Sequence, residues 1–108
     1  MIEINSKEEI LGILKNSKAV ILYFASTNCS VCEVLKPKIE MNISLHFSKM
    51  KQYYINSNQN IDITSHFSIF SSPTILVFFE GKEFKRYGRN ISLDIFNSEL
   101  KRLYEMVF

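Results

Sequence analysis

What this sequence has little of narrows its chemistry first. Only two of its 108 residues are cysteine, its formal net charge is +2, and no apolar run is longer than Ala19 to Ala25. A charge that small, with Lys and Arg interleaved among Asp and Glu, offers no basic stripe for nucleic acid or an anionic membrane surface. An apolar run of that length is far too short to span a bilayer. The stretch from Met1 to Ile10 lacks a positive region followed by an apolar one. No export signal is read there, and a cytoplasmic, reducing setting is expected, where structural disulfides are rare. Repeats, linkers and low-complexity segments are missing too. With 46% hydrophobic and 22% charged residues, the chain reads as one globular domain over residues 1–108.

What is present is strong patterning. Ile2 and Ile4 alternate with polar residues as a short first strand. Ser6 followed by Glu9 makes a capping box ahead of Ile10, Leu11, Ile13 and Leu14, which predicts a helix over 6–16. Ala19 to Ala25 (AVILYFA) is continuous, partly β-branched and aromatic, and reads as a strand buried on both faces, as in a parallel sheet. From about Ser30 to Lys49 the residues Val31, Val34, Leu35, Ile39, Ile43, Leu45 and Phe47 take helical spacing. Pro37 removes one backbone donor from that helix and is expected to bend it.

Lys51 to Ser57 then reads as a second parallel strand, completing a right-handed βαβ unit. A short helix around 61–67 leads to Ser-Ser-Pro and the strand Thr74 to Phe79 (TILVFF). Glu80-Gly81-Lys82 is a turn, and Glu83 to Tyr87 returns as its antiparallel partner. Ser92 caps a last helix carrying Leu93, Ile95, Phe96, Leu100, Leu103, Tyr104 and Val107. The predicted order is β-α-β-α-β-α-β-β-α.

Cys29 and Cys32 fall three residues apart, where the AVILYFA strand gives way to the helical pattern. A redox pair, half of a metal site and a structural pair are the readings open to that spacing. A zinc site needs two more ligands. His46 lies mid-helix and His66 near a helix end, so both read as surface or half-buried side chains. A metal or iron–sulfur centre shared by two such pairs on two chains is the further alternative.

Taken together, these features resemble the thioredoxin family. Its landmarks here are a buried strand running into C-x-x-C at a helix start and Pro37 five residues beyond the second cysteine. Ser72-Pro73-Thr74 before a strand and Gly81 in the following hairpin complete the set, which covers essentially the whole chain. The resemblance implies an α/β thioredoxin fold, a central mixed β-sheet flanked by helices. It implies a thiol–disulfide oxidoreductase that uses no metal and no cofactor. It also implies a cis bond before Pro73, with Ser72 offering its backbone to an added substrate strand. Phe70 would supply apolar surface on the rim or sit in the core, and Asn28 would flank the cysteines. The implied partners are disulfide-containing proteins and a thioredoxin reductase or similar donor, acting on a monomer.

Elementary chemistry agrees with those roles. Cys29 at a helix N-terminus meets unpaired N–H groups and the positive end of the dipole, which favour a thiolate and make it the nucleophile. Cys32, one turn later on the same face, is placed to resolve a mixed disulfide. Both lie at the carboxyl end of a sheet strand, where open α/β sheets keep their chemistry.

Departures from the family pattern bear on activity. Asn28 stands where the family has Trp, and is expected to cap the helix instead. Ser30 and Val31 replace Gly-Pro between the cysteines. Tyr23 takes the place of a buried Asp, and Tyr54 that of its Lys partner. A tyrosine is a poor base at neutral pH, so both read as core aromatics with satisfied hydroxyls. These losses favour the second class of function, a thioredoxin-fold binding or adaptor protein with little redox turnover. Retention of the cysteines, the proline and the helix junction favours the oxidoreductase.

Overall fold

The capping box at Ser6 works as its spacing predicts: Ser6 Oγ accepts from the Glu9 amide at 3.2 Å and starts the first helix. In the computed structural model, which describes residues 1–108, the elements follow in the expected order. They are β1 (Ile2–Glu3), α1 (Lys7–Asn16), β2 (Ala19–Ala25), α2 (Ser30–His46), β3 (Lys51–Asn56), α3 (Ile61–His66), β4 (Thr74–Phe79), β5 (Lys82–Tyr87) and α4 (Leu93–Val107). The five strands form one sheet in the order β1-β3-β2-β4-β5. β1 and β2 run parallel to β3, whereas β4 runs antiparallel to both β2 and β5. The sheet is therefore mixed, with β2 at its centre.

Every residue of β2 and of β4 is buried, which is why both read as continuous apolar runs. Alternation along β2 divides its side chains between two cores. Ala19, Ile21, Tyr23 and Ala25 face α2 and α4, meeting Ile39, Ile43, Phe96 and Leu100. Val20, Leu22 and Phe24 face α1 and α3, meeting Ile10, Leu14 and Ile63. β5 (KEFKRY) is an exposed, charged edge, the usual guard against edge-to-edge pairing.

Three sequence expectations need correction. α2 stops at His46 rather than running to Lys49. Phe47 leaves helical geometry at φ −140°, and its ring instead packs edge-on against Phe96 and Tyr104. Val34 and Leu45, expected on the apolar face, are 60% and 73% exposed. The stripe that meets the sheet runs through Cys32, Leu35, Ile39 and Ile43, and at 3.6 residues per turn the other two fall outside it. The β4–β5 turn is the two residues Glu80-Gly81, at φ +52° and +79°, so Lys82 already pairs with Phe79. Positive φ at both central positions matches the twist of a tight hairpin, and the second position takes glycine without strain.

Candidate redox site

β2 ends at Ala25, and the chain turns through Ser26, Thr27 and Asn28 into α2. Asn28 is not the helix cap. It sits at φ +58°, a left-handed conformation that asparagine tolerates better than most residues. The cap position falls to Cys29, whose Sγ accepts from the Cys32 amide at 3.2 Å while its carbonyl accepts from Glu33 at 3.1 Å. Sulfur thus occupies the place a capping oxygen would take, among the free amides of the first turn. Cys29 and Cys32 are joined as a disulfide with their Cα atoms 5.3 Å apart. Cys29 and Cys32 both line an open cleft; Cys29 is half-buried, whereas Cys32 is only 3% exposed.

The loop before the cysteines is held by a cluster of asparagines that the sequence reading passed over. Asn58 Oδ1 accepts from the Thr27 amide at 2.7 Å, and Asn56 Oδ1 accepts from the amides of Asn58 and Gln59. The signal was present in the run Asn56-Ser57-Asn58-Gln59-Asn60, since Asn side chains make such local backbone bonds.

Tyr23 lies directly beneath the pair. Fully buried, it donates its hydroxyl hydrogen to the Cys32 carbonyl at 2.7 Å. Burial, with the neighbouring Tyr54 adding to it, pushes its pKa up to about 12. At neutral pH it is a hydrogen-bond donor and a clamp on the first turn of α2, not a base. Tyr54 stacks on it at 6.3 Å, is itself raised chiefly by burial, and carries the Lys36 ammonium 5.3 Å over its ring.

The Ser72–Pro73 peptide bond is cis. Thr74 at the start of β4 pairs with Phe24 near the end of β2, so antiparallel pairing brings Pro73 to the sheet end from which the cysteines emerge. The Thr74 hydroxyl donates to the Ser71 carbonyl at 2.7 Å and fastens the loop. Pro73 is buried and Ser72 half-buried. Ser72 and Pro73 line a groove on the β5 side, separate from the cysteine cleft on the β3 side. Phe70 is 92% exposed and lines neither of these, facing Arg86 and Tyr87 instead. His46 and His66 are exposed, and no three His, Cys, Asp or Glu side chains gather to hold a metal ion.

Comparison with known proteins agrees with this geometry. The family model for thioredoxin matches residues 2–102. A thioredoxin-like protein of Bacillus subtilis, YdfQ, is 27% identical over 106 residues, 98% of this chain and 94% of that protein. The thioredoxin of Mycoplasma genitalium is 30% identical over 100 residues, 89% of this chain and 97% of the relative. Among solved structures, a thioredoxin of Plasmodium falciparum superposes with a TM-score of 0.76 at 25% identity, covering 98% of each chain. The thioredoxin of Trypanosoma brucei brucei reaches 0.83 at 19% identity over 97% of this chain and 91% of its own, a likeness of fold.

Proposed function

The chain belongs to the thioredoxin family, and from that premise we propose that Cys29 attacks disulfides in protein substrates and Cys32 resolves the mixed disulfide. The chain is a thiol–disulfide oxidoreductase of the thioredoxin type. The observation that carries the assignment of roles is the asymmetry of the pair: both border the cleft, but Cys29 caps α2 and is only half-buried, while Cys32, one turn later, is 3% exposed.

In the reduced protein, the Cys29 thiolate forms a bond to one substrate sulfur as the substrate S–S bond breaks, releasing the other sulfur as a thiolate. Cys32 then loses its proton and attacks Cys29 Sγ. The intramolecular disulfide forms, the mixed disulfide breaks, and the second substrate sulfur leaves. Two electrons pass to the substrate sulfurs; the Cys32 proton goes to one of the released thiolates and water protonates the other. A thioredoxin reductase or a similar donor returns two electrons to the Cys29–Cys32 pair. The Ser72 backbone, at the free start of β4, supports pairing with an extended substrate segment, while Asn28 borders the cysteine cleft and the exposed Phe70 stands apart from both. Both sulfurs come from one helix, so a monomer suffices. A reducing, cytoplasmic setting fits a chain whose only cysteines are this pair, with none left for a structural framework.

The adaptor reading draws on Tyr23. With that group held neutral, no buried base receives the Cys32 proton, which slows resolution. Insulin reduction, followed with and without thioredoxin reductase, separates the two. Turnover that disappears in Cys29→Ser, together with a trapped mixed disulfide in Cys32→Ser, is expected. Wild-type protein that binds a disulfide protein yet never reduces it would assign the chain to the adaptor class.

A further inference from the structure

Arg86 and Arg89 lie three residues apart and are used differently. Arg86 is spent on structure: it donates to the carbonyls of Phe67 and Ser68 and forks onto Glu83 at 2.7 and 2.8 Å. Arg89 is exposed and joins no ion pair. Its single hydrogen bond is a long one, 3.5 Å from Nη2 to the carbonyl of Ser72. At that distance the bond is marginal. Arg89 also borders a shallow cleft with Ser30, Val31, Val34, Leu35 and Lys38, so its side chain spans from the loop before Pro73 to the residues between the cysteines. Lys38 on the same cleft is likewise outside any ion pair.

Resting on the thiol-exchange reading above, we propose that Arg89 selects substrates that carry an acidic residue close to the attacked cysteine. The Ser72 carbonyl is an acceptor that an added strand would use, and in the free protein Arg89 lies across it. A substrate carboxylate offers the guanidinium a charge-assisted, bidentate bond, stronger than a 3.5 Å contact with a neutral carbonyl. Moving onto the carboxylate, the guanidinium uncovers the Ser72 carbonyl for the substrate's own N–H. Recognition of the charge and opening of the pairing edge are then one movement. Two residues of extended strand cover on the order of 7 Å, which sets the window as one or two positions from the cysteine. The apolar floor of Val31, Val34 and Leu35 suits an aliphatic neighbour of that acid, and Lys38 adds a second positive charge.

The test uses the reduced full chain and disulfide-bridged peptides identical except for Glu, Gln or Lys two residues before the reacting cysteine. Each rate is normalised to that for bis(2-hydroxyethyl) disulfide, an uncharged probe. Exposed ion pairs shift an equilibrium by up to about fivefold. Wild-type protein is therefore expected to reduce the Glu peptide about three- to fivefold faster than the Lys peptide at low salt. Near 0.5 M salt the preference shrinks. Arg89→Ala brings the ratio close to one and speeds the Gln peptide, because the Ser72 carbonyl is uncovered. Arg89→Glu inverts the ratio. Lys101→Ala, exposed on α4, leaves it alone. Equal ratios in wild type and Arg89→Ala, or a wild-type preference for Lys, overturn the selection by Arg89 and leave the exchange reading standing. Failure to reduce any peptide or the neutral probe overturns both.

Discussion

The two cores on either side of the sheet are built to different standards. On the α1/α3 side, the hydrophobic cluster of twelve buried residues from Ile4 to Phe78 is all aliphatic or phenylalanine. A buried polar residue on that side, Asn60, stands at the start of α3, where it donates to Asn5 and to the Asn56 carbonyl. On the α2/α4 side, the core includes Tyr23 and Cys32, and polar pairs stand within or beside it. Tyr23 reaches the Cys32 carbonyl, and Asn42 on α2 exchanges two amide hydrogen bonds, at 2.7 and 3.0 Å, with Asn97 on α4. Burying polar atoms is favourable only when each has its partner, and the geometry that satisfies them admits little slack. The first face holds the fold together by packing. The second gives up some apolar area to fix the position of the helix that carries the sulfurs.

The largest test of that contrast is Phe24→Ala. Phe24 is fully buried on the α1/α3 side and meets the Phe67 ring at 6.0 Å. Its truncation is expected to cost about 3–5 kcal/mol in urea denaturation. The disulfide exchange rate of the fraction still folded should be unchanged. A large change in the reduction potential of the Cys29–Cys32 pair in this variant would break the division of labour between faces.

A smaller loss is expected for Asn42→Ala. It leaves the Asn97 amide without its partner at the α2–α4 contact, a cost of about 1–3 kcal/mol. Thermal unfolding of Asn42→Ala, of Asn97→Ala and of the double variant, each against wild type, gives the coupling between the two. Additive losses would show that the amide pair contributes nothing of its own.

The smallest effect at neutral pH, and the sharpest in its pH signature, belongs to Tyr23→Phe. Losing the bond to the Cys32 carbonyl should cost about 1 kcal/mol. The folded pKa of Tyr23, about 12, lies above the ordinary value of 10.0. Its contribution is therefore complete below pH 10 and is lost as the pH rises towards 12. Tyr53, Tyr54 and Tyr87 are raised as well and share that slope. Tyr23→Phe removes one tyrosine from it, so the gap between variant and wild type should close between pH 10 and 12. A gap that stays constant over that range, measured by denaturant titration, would mean that the Tyr23 hydroxyl is not buried as described.

Much of this protein is legible in its sequence because local rules carry it. Continuous apolar runs mark β2 and β4, Ser6 and Ser92 mark two helix starts, and C-x-x-C at a strand–helix junction marks the site. Each of those signals is complete within a few neighbouring residues. What only the tertiary structure decided are the relations between segments far apart in the chain. Helical spacing marks apolar positions on α2, but packing against the sheet decided that Val34 and Leu45 lie outside and Asn42 inside. A polar residue in that stripe becomes legible only once Asn97, 55 positions away, is seen to satisfy it. Asn28 looked like a cap because asparagine is a good one, yet the turn out of β2 needed a residue that tolerates positive φ, and the cap fell to Cys29. Arg86 and Arg89 are indistinguishable as letters. The folded chain sets carbonyls and a carboxylate around the first and leaves the second with one weak bond beside the cysteines, since partners are assigned by proximity in space.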